Sequence, residues 1–232
     1  MRLNKFLSQS GIASRRKSDD LIKMATTEVN GILCFDPAYD VKKSDVVKFD
    51  GKKISIIEKK IVIMLYKPKN VISTVLDTHD RKTVMDLVPK NIHLNPVGRL
   101  DKDTTGLLLL TNDGELHQYL THPKNEIPKD YEVIIEGKLD QLQIKKIKKG
   151  IYIGHKEYGR AKVLDQKSKK GRSKVVLQLK QGKKREIRRL FYRLGLKILT
   201  LKRIKFSNLS LGSLNVGEHV ELNKQQIQLL KT

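Results

Sequence analysis

One stretch near the middle of the chain constrains the fold more than any other. Residues 98–106 begin and end with glycine and carry two carboxylate and two hydroxyl side chains, and four leucines follow at 107–110. Such a short apolar run, closed by the polar residues 111–114, is typical of a buried strand. The pattern therefore predicts a loop held at the edge of a core, and such loops often carry function.

The two carboxylates of this loop, Asp101 and Asp103, have several interpretations. They can cap local backbone groups in an Asx-type turn. They can also form an Asp-x-Asp metal site, although Mg²⁺ usually needs more carboxylates than this loop supplies. Spacing alone leaves both alternatives open beside a catalytic role.

The chain is strongly basic. It has 48 Lys and Arg against 25 Asp and Glu, a net charge of +23 at pH 7. This surplus favours nucleic acid or an anionic membrane as partner, and the alternative is a solvated Lys-rich surface. No apolar run approaches the roughly 18 residues of a membrane span, and no signal core follows the N-terminus. We therefore predict a cytoplasmic protein without a membrane partner.

Cysteine and histidine usage gives no indication of a metal. The single cysteine, Cys34, excludes an internal disulfide framework and a Cys-based zinc cluster. It lies among apolar residues at 32–35, so we predict a small buried hydrophobe. The six histidines have no metal-ligand spacing. We predict neither a metal nor a cofactor.

The N-terminal residues 1–58 have the pattern of a separate small domain. Apolar spacing predicts a short helix that Gly11 ends, and Ser14 is a candidate N-cap for a second helix. Asn30-Gly31 is typical of a hairpin turn. Residues 58–60 are the predicted linker. The exposed first turn of the second helix carries three basic residues: Arg15, Arg16 and Lys17.

The longer piece, residues 59–232, is predicted to be mixed α and β. Residues 1–58 hold 11 basic and 8 acidic side chains, so +20 of the net charge lies in the longer piece. Its pattern predicts a helix that Gly150 ends. Strands are predicted at 61–65, 107–110, 131–135 and 175–179.

A second helix in this piece, around 184–194, is amphipathic. Its apolar positions recur at i, i+3, i+4 and i+7 from Ile187. This period predicts that Arg185, Arg189 and Arg193 point away from the core. Arg188 falls at the boundary between the two faces, where it can reach a pocket beside the core.

Residues 98–114 resemble the catalytic motif of ribosomal pseudouridine synthases of the RsuA/RluB type. The resemblance extends to Lys67-Pro68, to 129–133 and to 182–191. Residues 1–58 resemble the S4 RNA-binding module of these enzymes, most clearly at 11–16. Nearly the whole chain is covered.

The resemblance implies an α+β fold with a small S4-like domain at 1–58. A catalytic domain at 59–232, built on a large, mainly antiparallel sheet, would follow. The implied activity is isomerisation of a uridine in ribosomal RNA to pseudouridine, and the motifs are more similar to those of large-subunit members. The implied partner is ribosomal RNA or a pre-ribosomal particle, bound by a monomer that needs no cofactor.

By resemblance, three residues form the catalytic set. Asp101 is the nucleophile, and Arg188 pairs with it, since an attacking carboxylate in a pocket needs a nearby cation. Tyr131 stacks on the uracil and assists removal of the C5 proton, although a tyrosine in a strand is more often part of a core. Whether Asp101 attacks the sugar or the base is left open.

The remaining arginines are predicted to contact RNA. Arg99, beside the nucleophile, can fill the gap left when the target base leaves its stack, or it can contact a phosphate. Arg185 and Arg189, together with the basic residues at 15–17, are predicted to meet phosphates. The alternative for the arginines of the 184–194 helix is a solvated helix face.

Two other function classes fit part of the sequence. A non-catalytic RNA-binding or ribosome-assembly protein would also explain the charge and the S4-like module. It would not need Asp101, Tyr131 and Arg188 together. An RNA methyltransferase is less consistent with the sequence, because no convincing Gly-rich cofactor loop follows a strand.

Overall fold

The computed structural model describes residues 1–57 and 59–231. The chain divides into two compact units, Met1–Lys60 and Ile61–Thr232. This division falls two residues from the predicted domain boundary. The predicted linker at 58–60 includes Glu58, which lies outside the described residues.

The first unit consists of two helices and a four-stranded sheet with strand order β2-β1-β3-β4. Ser14 caps the second helix as predicted, because its hydroxyl accepts the backbone N–H of Lys17. Asn30 and Gly31 have φ of 54° and 81°, the left-handed geometry of the predicted hairpin turn. The elements are α1 Leu3–Gln9, α2 Arg15–Lys23, β1 Thr27–Val29, β2 Ile32–Leu33, β3 Val47–Phe49 and β4 Lys52–Lys53.

The prediction that Cys34 is a buried hydrophobe is wrong. Cys34 is only half-buried, while Ile32 and Phe35 on either side are 75% and 57% exposed. The reason is the position of β2 at the edge of the sheet. The core of this unit forms instead around Leu3, Leu7, Ile22 and Val47.

The second unit contains a nine-stranded sheet, a two-stranded sheet and four α-helices among its described residues. Its first strands and helix are β5 Val62–Lys67, β6 Asn95–Val97, β7 Thr105–Thr111, α3 Gly114–Thr121 and β8 Lys129–Glu136. The middle part comprises α4 Gln141–Lys149, β9 Ile151–Gly154, β10 Glu157–Gly159, β11 Lys162–Lys169 and β12 Arg172–Leu179. The last elements are α5 Glu186–Arg193, β13 Ile198–Phe206, β14 Leu209–Ser210, β15 His219–Glu221 and α6 Lys224–Gln228.

The large sheet confirms the predicted mainly antiparallel architecture. Its strands follow the order β11-β12-β8-β13-β7-β5-β15, with β14 beside β13 and β6 beside β7. Within the described strands, β13 and β7 pair in parallel and the other pairs are antiparallel. The parallel pair is short and joins two antiparallel halves of the sheet.

Both faces of β5 and β7 are buried, which explains their continuous apolar sequence. Leu107 and Leu109 pack into one core cluster, and Leu108 and Leu110 pack into another on the opposite face. A third cluster lies under α5, where Leu190 and Phe191 are fully buried. No helix among residues 1–57 and 59–231 is long and apolar enough to cross a membrane.

Candidate active site

The loop that carries Asp101 connects β6 to β7 and is fixed from both sides. We call residues 98–104 the Asp101 loop. Before Asp101, the buried Ser73 hydroxyl donates to the carbonyl of Leu100 at 3.0 Å and accepts its N–H at 3.1 Å. After it, the ammonium of Lys67 donates to the carbonyls of Lys102 and Thr104, at 3.4 and 3.0 Å. Two partners outside the loop therefore hold Asp101 in place.

Lys67 is fully buried and has no carboxylate within ion-pair distance among the described residues. Burial lowers the pKa of its ammonium to about 8, and the charges of Asp101 and Asp103 raise it by a smaller amount. Besides the two loop carbonyls, it donates to the carbonyl of Pro68 at 3.0 Å. A cation used for backbone carbonyls fixes chain geometry, and its charge favours an ionised carboxylate nearby.

Gly106 allows the start of β7 to approach β13 closely. Gly106 pairs with Arg203 in the parallel ladder and has φ of 108°. A Cβ at this position would lie 2.2 Å from the carbonyl oxygen of Arg203. The second glycine of the motif is therefore required by the contact that joins the two halves of the sheet.

Two guanidinium groups flank the carboxylate of Asp101. Arg185 Nη1 lies 3.5 Å from Asp101 Oδ2, and Arg188 Nε lies 3.8 Å from the same oxygen. Arg188 also donates through Nη2 to the carbonyl of Asp103 and the hydroxyl of Thr104. Its buried Nε makes no hydrogen bond within the described residues. The carboxylate is one-third exposed, so it is balanced by charge and still accessible.

Arg185 reaches Asp101 because it precedes α5 instead of belonging to it. Its backbone is left-handed, with φ of 52°, at the N-cap position. Arg185 is exposed and points away from the core as predicted, but it does not belong to the outer face of α5. The buried carboxylate of Glu186 stabilises this entry by accepting the backbone N–H groups of Lys183 and Arg160.

A cavity of about 750 Å³ brings most of the predicted residues together. Residues from the Asp101 loop, β8, the 181–185 segment and α5 line it, and so do residues 72–74, residues 76–78 and Arg81. The predicted site residues along its lining are Arg99, Asp101, Tyr131, Arg185 and Arg188. The exposed Arg99 lies two residues before the carboxylate.

Tyr131 lies where two core clusters meet. Its half-buried ring packs against the cluster under α5 and against the cluster of Leu108 and Leu110. Its hydroxyl makes no hydrogen bond to another residue of the described chain. The ring therefore has a structural role, and Tyr131 lines the same cavity as Asp101.

The other predicted RNA contacts lie outside this cavity. Arg189 hydrogen-bonds Glu157 on β10 through Nη2, and its side chain is only 20% exposed. The prediction that Arg189 meets RNA is thus not supported by its placement. Arg15, Arg16 and Lys17 are exposed on α2 in the other unit, as their predicted RNA role requires.

The carboxylates of the loop have neither of the alternative roles within the described structure. Neither the Asp101 nor the Asp103 side chain accepts a backbone N–H from another described residue, as an Asx turn would need. No group of three or more His, Cys, Asp or Glu side chains in the described part of the chain could hold a metal ion. The geometry instead presents one accessible carboxylate, that of Asp101, between two guanidinium groups.

Sequence reasoning assigned no role to Lys67, Ser73, Gly106 or Glu186. Lys67 lies in the Lys-Pro pair that carries part of the family resemblance, so that motif was an available signal. Gly106 lies in the densest motif. Ser73 has no local signal, because its partner Leu100 is 27 residues away.

Two family models match the chain. The model described as RNA pseudouridylate synthase covers residues 61–192, and the S4 domain model covers residues 1–47. Together they cover the parts of the chain whose motifs carry the family resemblance.

Relatives match over nearly the full length. Ribosomal large subunit pseudouridine synthase B of Bacillus subtilis is 37% identical over 99% of this chain and 95% of its own length. An RNA pseudouridine synthase of Aquifex aeolicus is 36% identical over 100% of this chain and 94% of its own length. A crystal structure of a pseudouridylate synthase is similar with a TM-score of 0.71 and 28% identity, and the match covers 99% of both chains.

Proposed function

Because this chain belongs to the RNA pseudouridylate synthase family and carries an S4 domain, we propose that it converts one uridine of ribosomal RNA into pseudouridine. The large-subunit RNA is the proposed substrate, since the Bacillus relative is named for that subunit and aligns over 99% of this chain. The net charge of +23 favours a polyanionic partner of this kind.

The observation that carries the proposal is the setting of Asp101 in the cavity. One carboxylate, held by its loop and flanked by Arg185 and Arg188, faces the same space as the ring of Tyr131. A non-catalytic RNA binder has no use for an accessible, charge-balanced carboxylate in a basic cavity, because it repels phosphate.

The reaction needs this carboxylate and a proton acceptor. The C1′–N1 bond of the uridine breaks, the uracil rotates, and a C1′–C5 bond forms. The proton on C5 is lost and N1 gains one, so the change is redox-neutral and consumes no water. In the proposed mechanism Asp101 forms an adduct with the sugar or the base while the uracil is detached. Such an isomerisation requires no cofactor.

Tyr131 and Arg99 are assigned to the base. The ring of Tyr131 would stack on the uracil, and its unbonded hydroxyl would assist removal of the C5 proton. Arg99, exposed beside the carboxylate, would fill the space that the extruded uridine leaves in its stack. Arg188 would hold Asp101 ionised and correctly oriented.

The proposed division of labour follows the two predicted domains, 1–58 and 59–232. The second carries +20 of the net charge and would supply most of the affinity for RNA. The first would position the substrate through Arg15, Arg16 and Lys17, which are exposed on α2. We propose that the protein acts as a monomer in the cytoplasm, on ribosomal RNA or a pre-ribosomal particle.

Paired substitutions test the proposal. Pseudouridines are mapped in ribosomal RNA from cells that lack the protein and from cells that express it or a variant. We expect one large-subunit position to lose its modification without the protein. Asp101→Asn should not restore it, while the protein should still bind RNA within a few-fold of the native affinity.

The control is Asp103→Asn in the same loop. Its exposed side chain makes no hydrogen bond to another described residue, and the substitution keeps the backbone carbonyl that accepts from Arg188. Asp103→Asn should restore the modification. Restoration by Asp101→Asn would contradict the nucleophile, and an unchanged ribosomal RNA in cells without the protein would contradict the substrate.

A further inference from the structure

The outer face of α5 carries an aromatic ring that the fold does not use. Tyr192 is 80% exposed, the highest value for a large apolar side chain in the described chain. The residues before it, Leu190 and Phe191, are fully buried and anchor the helix. The Tyr192 hydroxyl makes no hydrogen bond to a described residue, so folding alone does not explain the ring.

Tyr192 lines a second cavity beside the catalytic one. This cavity measures about 450 Å³, and Arg185 and Arg188 line both cavities. The two cavities therefore share the two arginines whose guanidinium groups flank Asp101. The lining of the second cavity is Arg185, Arg188, Tyr192, Gly195, Leu196, Lys197 and Ile198.

The composition of this cavity fits a nucleotide. An exposed aromatic face beside cations is the arrangement by which proteins hold single-stranded nucleic acid, with the base on the ring and the backbone near the cations. Arg185 is 46% exposed and available to a phosphate. Lys197 forms an ion pair with Glu136 that is exposed to solvent and weak.

Gly195 lines this cavity just after the end of α5. Its φ is 70°, and nothing lies within 4 Å of where its Cβ would be. A side chain there would be strained by the left-handed backbone and would extend into open space. The glycine therefore ends the helix without adding a side chain to the cavity.

We propose that Tyr192 stacks on the base of a nucleotide adjacent to the target uridine, so that the second cavity is a subsite for flanking RNA. This inference rests on the proposed function, because the catalytic cavity must hold the target for its neighbour to reach Tyr192. Removing a uridine from its stack exposes the faces of the bases next to it. The ring of Tyr192 replaces one of those lost stacking partners.

A fluorescence experiment tests the contact directly. The chain has no tryptophan, so Tyr192→Trp introduces the single indole of the protein. The variant also carries Asp101→Asn to prevent turnover, and it is titrated with a single-stranded uridine dodecanucleotide. We expect strong quenching of the indole emission on binding. Inorganic polyphosphate, which has charge but no bases, should leave the emission almost unchanged.

The matched control is Tyr152→Trp in the same background. Tyr152 is 47% exposed on β9 and lines neither cavity. Its indole should not respond to the RNA. Equal quenching at both positions would overturn the subsite. So would an absence of quenching in Tyr192→Trp when the fluorescence anisotropy of a dye-labelled dodecanucleotide shows that the RNA is bound.

Affinity gives a second measurement that does not depend on a probe. Tyr192→Ala should weaken binding of the dodecanucleotide roughly 5- to 100-fold, the usual effect of removing one stacked base, while Tyr192→Phe should stay within about twofold. An unchanged affinity for Tyr192→Ala would contradict stacking. If Tyr192→Trp is quenched but the native protein forms no pseudouridine in ribosomal RNA, the proposed function is wrong. Tyr192 would then still be a stacking site for single-stranded RNA.

Discussion

Replacement of Gly106 by alanine should damage both stability and activity, because it separates β7 from β13. The new Cβ would lie 2.2 Å from the carbonyl oxygen of Arg203, so the strands must separate by about 1.2 Å to reach ordinary contact. The φ of 108° adds strain for any side chain. Overpacking and backbone strain each cost ~1–3 kcal/mol, so we expect a loss of about 2–6 kcal/mol in the free energy of unfolding.

Activity should fall further than stability alone explains. Only Thr105 separates Gly106 from the Asp101 loop, and Lys67 binds the carbonyl of Thr104 within that loop. A shift of this size at the strand moves Asp101 with it. A displacement of ~1 Å at a reacting group can reduce the rate about 100-fold.

Two other glycines separate the effect of backbone strain from the effect of overpacking. Gly98 has φ of 72° but nothing within 4 Å of its Cβ, and Gly182 has neither the strained φ nor a close neighbour. In urea unfolding followed by far-UV circular dichroism, Gly98→Ala should lose ~1–2 kcal/mol and Gly182→Ala under ~0.5 kcal/mol. If Gly106→Ala is no less stable than Gly98→Ala, the close approach of the strands is not what requires glycine.

Four further substitutions test the site. Lys67 has a pKa of about 8 in the fold against 10.5 when exposed, so the unfolded chain binds its proton more tightly. As the pH rises from 8 to 10.5, the free energy of unfolding of the native protein should therefore increase by up to about 3 kcal/mol relative to that of Lys67→Met. Unfolding free energies from urea that change with pH in parallel for the two proteins would contradict this. Arg185→Gln should make the slope of log K for RNA binding against log salt concentration shallower by roughly 0.7. Arg189→Gln should leave this slope unchanged, because the native Arg189 side chain binds Glu157. Equal slopes for the two variants would refute the distinction. Tyr131→Phe should bind RNA normally but form product roughly 100-fold more slowly, and a native rate would exclude the hydroxyl as proton acceptor.

The sequence was most informative where local pattern and burial coincide. The apolar runs of β5 and β7, the capped start of α2 and the buried face of α5 were all predicted, because each depends on residues close together in the chain. The family resemblance supplied the large antiparallel sheet, which no periodicity in this chain defines.

The placements that the sequence did not predict have a common physical cause. The direction of Arg185 depends on a left-handed backbone at the helix start, where the 3.6-residue period no longer applies. Arg189 finds its partner Glu157 at a distance of 32 residues. Cys34 follows an edge strand whose outer side lacks a neighbour in the sheet. Each outcome depends on contacts or backbone geometry that local patterns do not encode.

The parallel pairing of β7 with β13 also determines when during synthesis the catalytic cavity can form. Thr105 and Gly106 pair with Lys202 and Arg203, which the ribosome adds roughly one hundred residues later. Until then Thr105 and Gly106 lack these partners, although β5 and β6 can already pair with β7. Such a late, non-local pairing is slow to form. A nascent chain that stops before Leu201 therefore carries Asp101, Tyr131 and Arg188 but lacks a residue of β13 that lines the cavity.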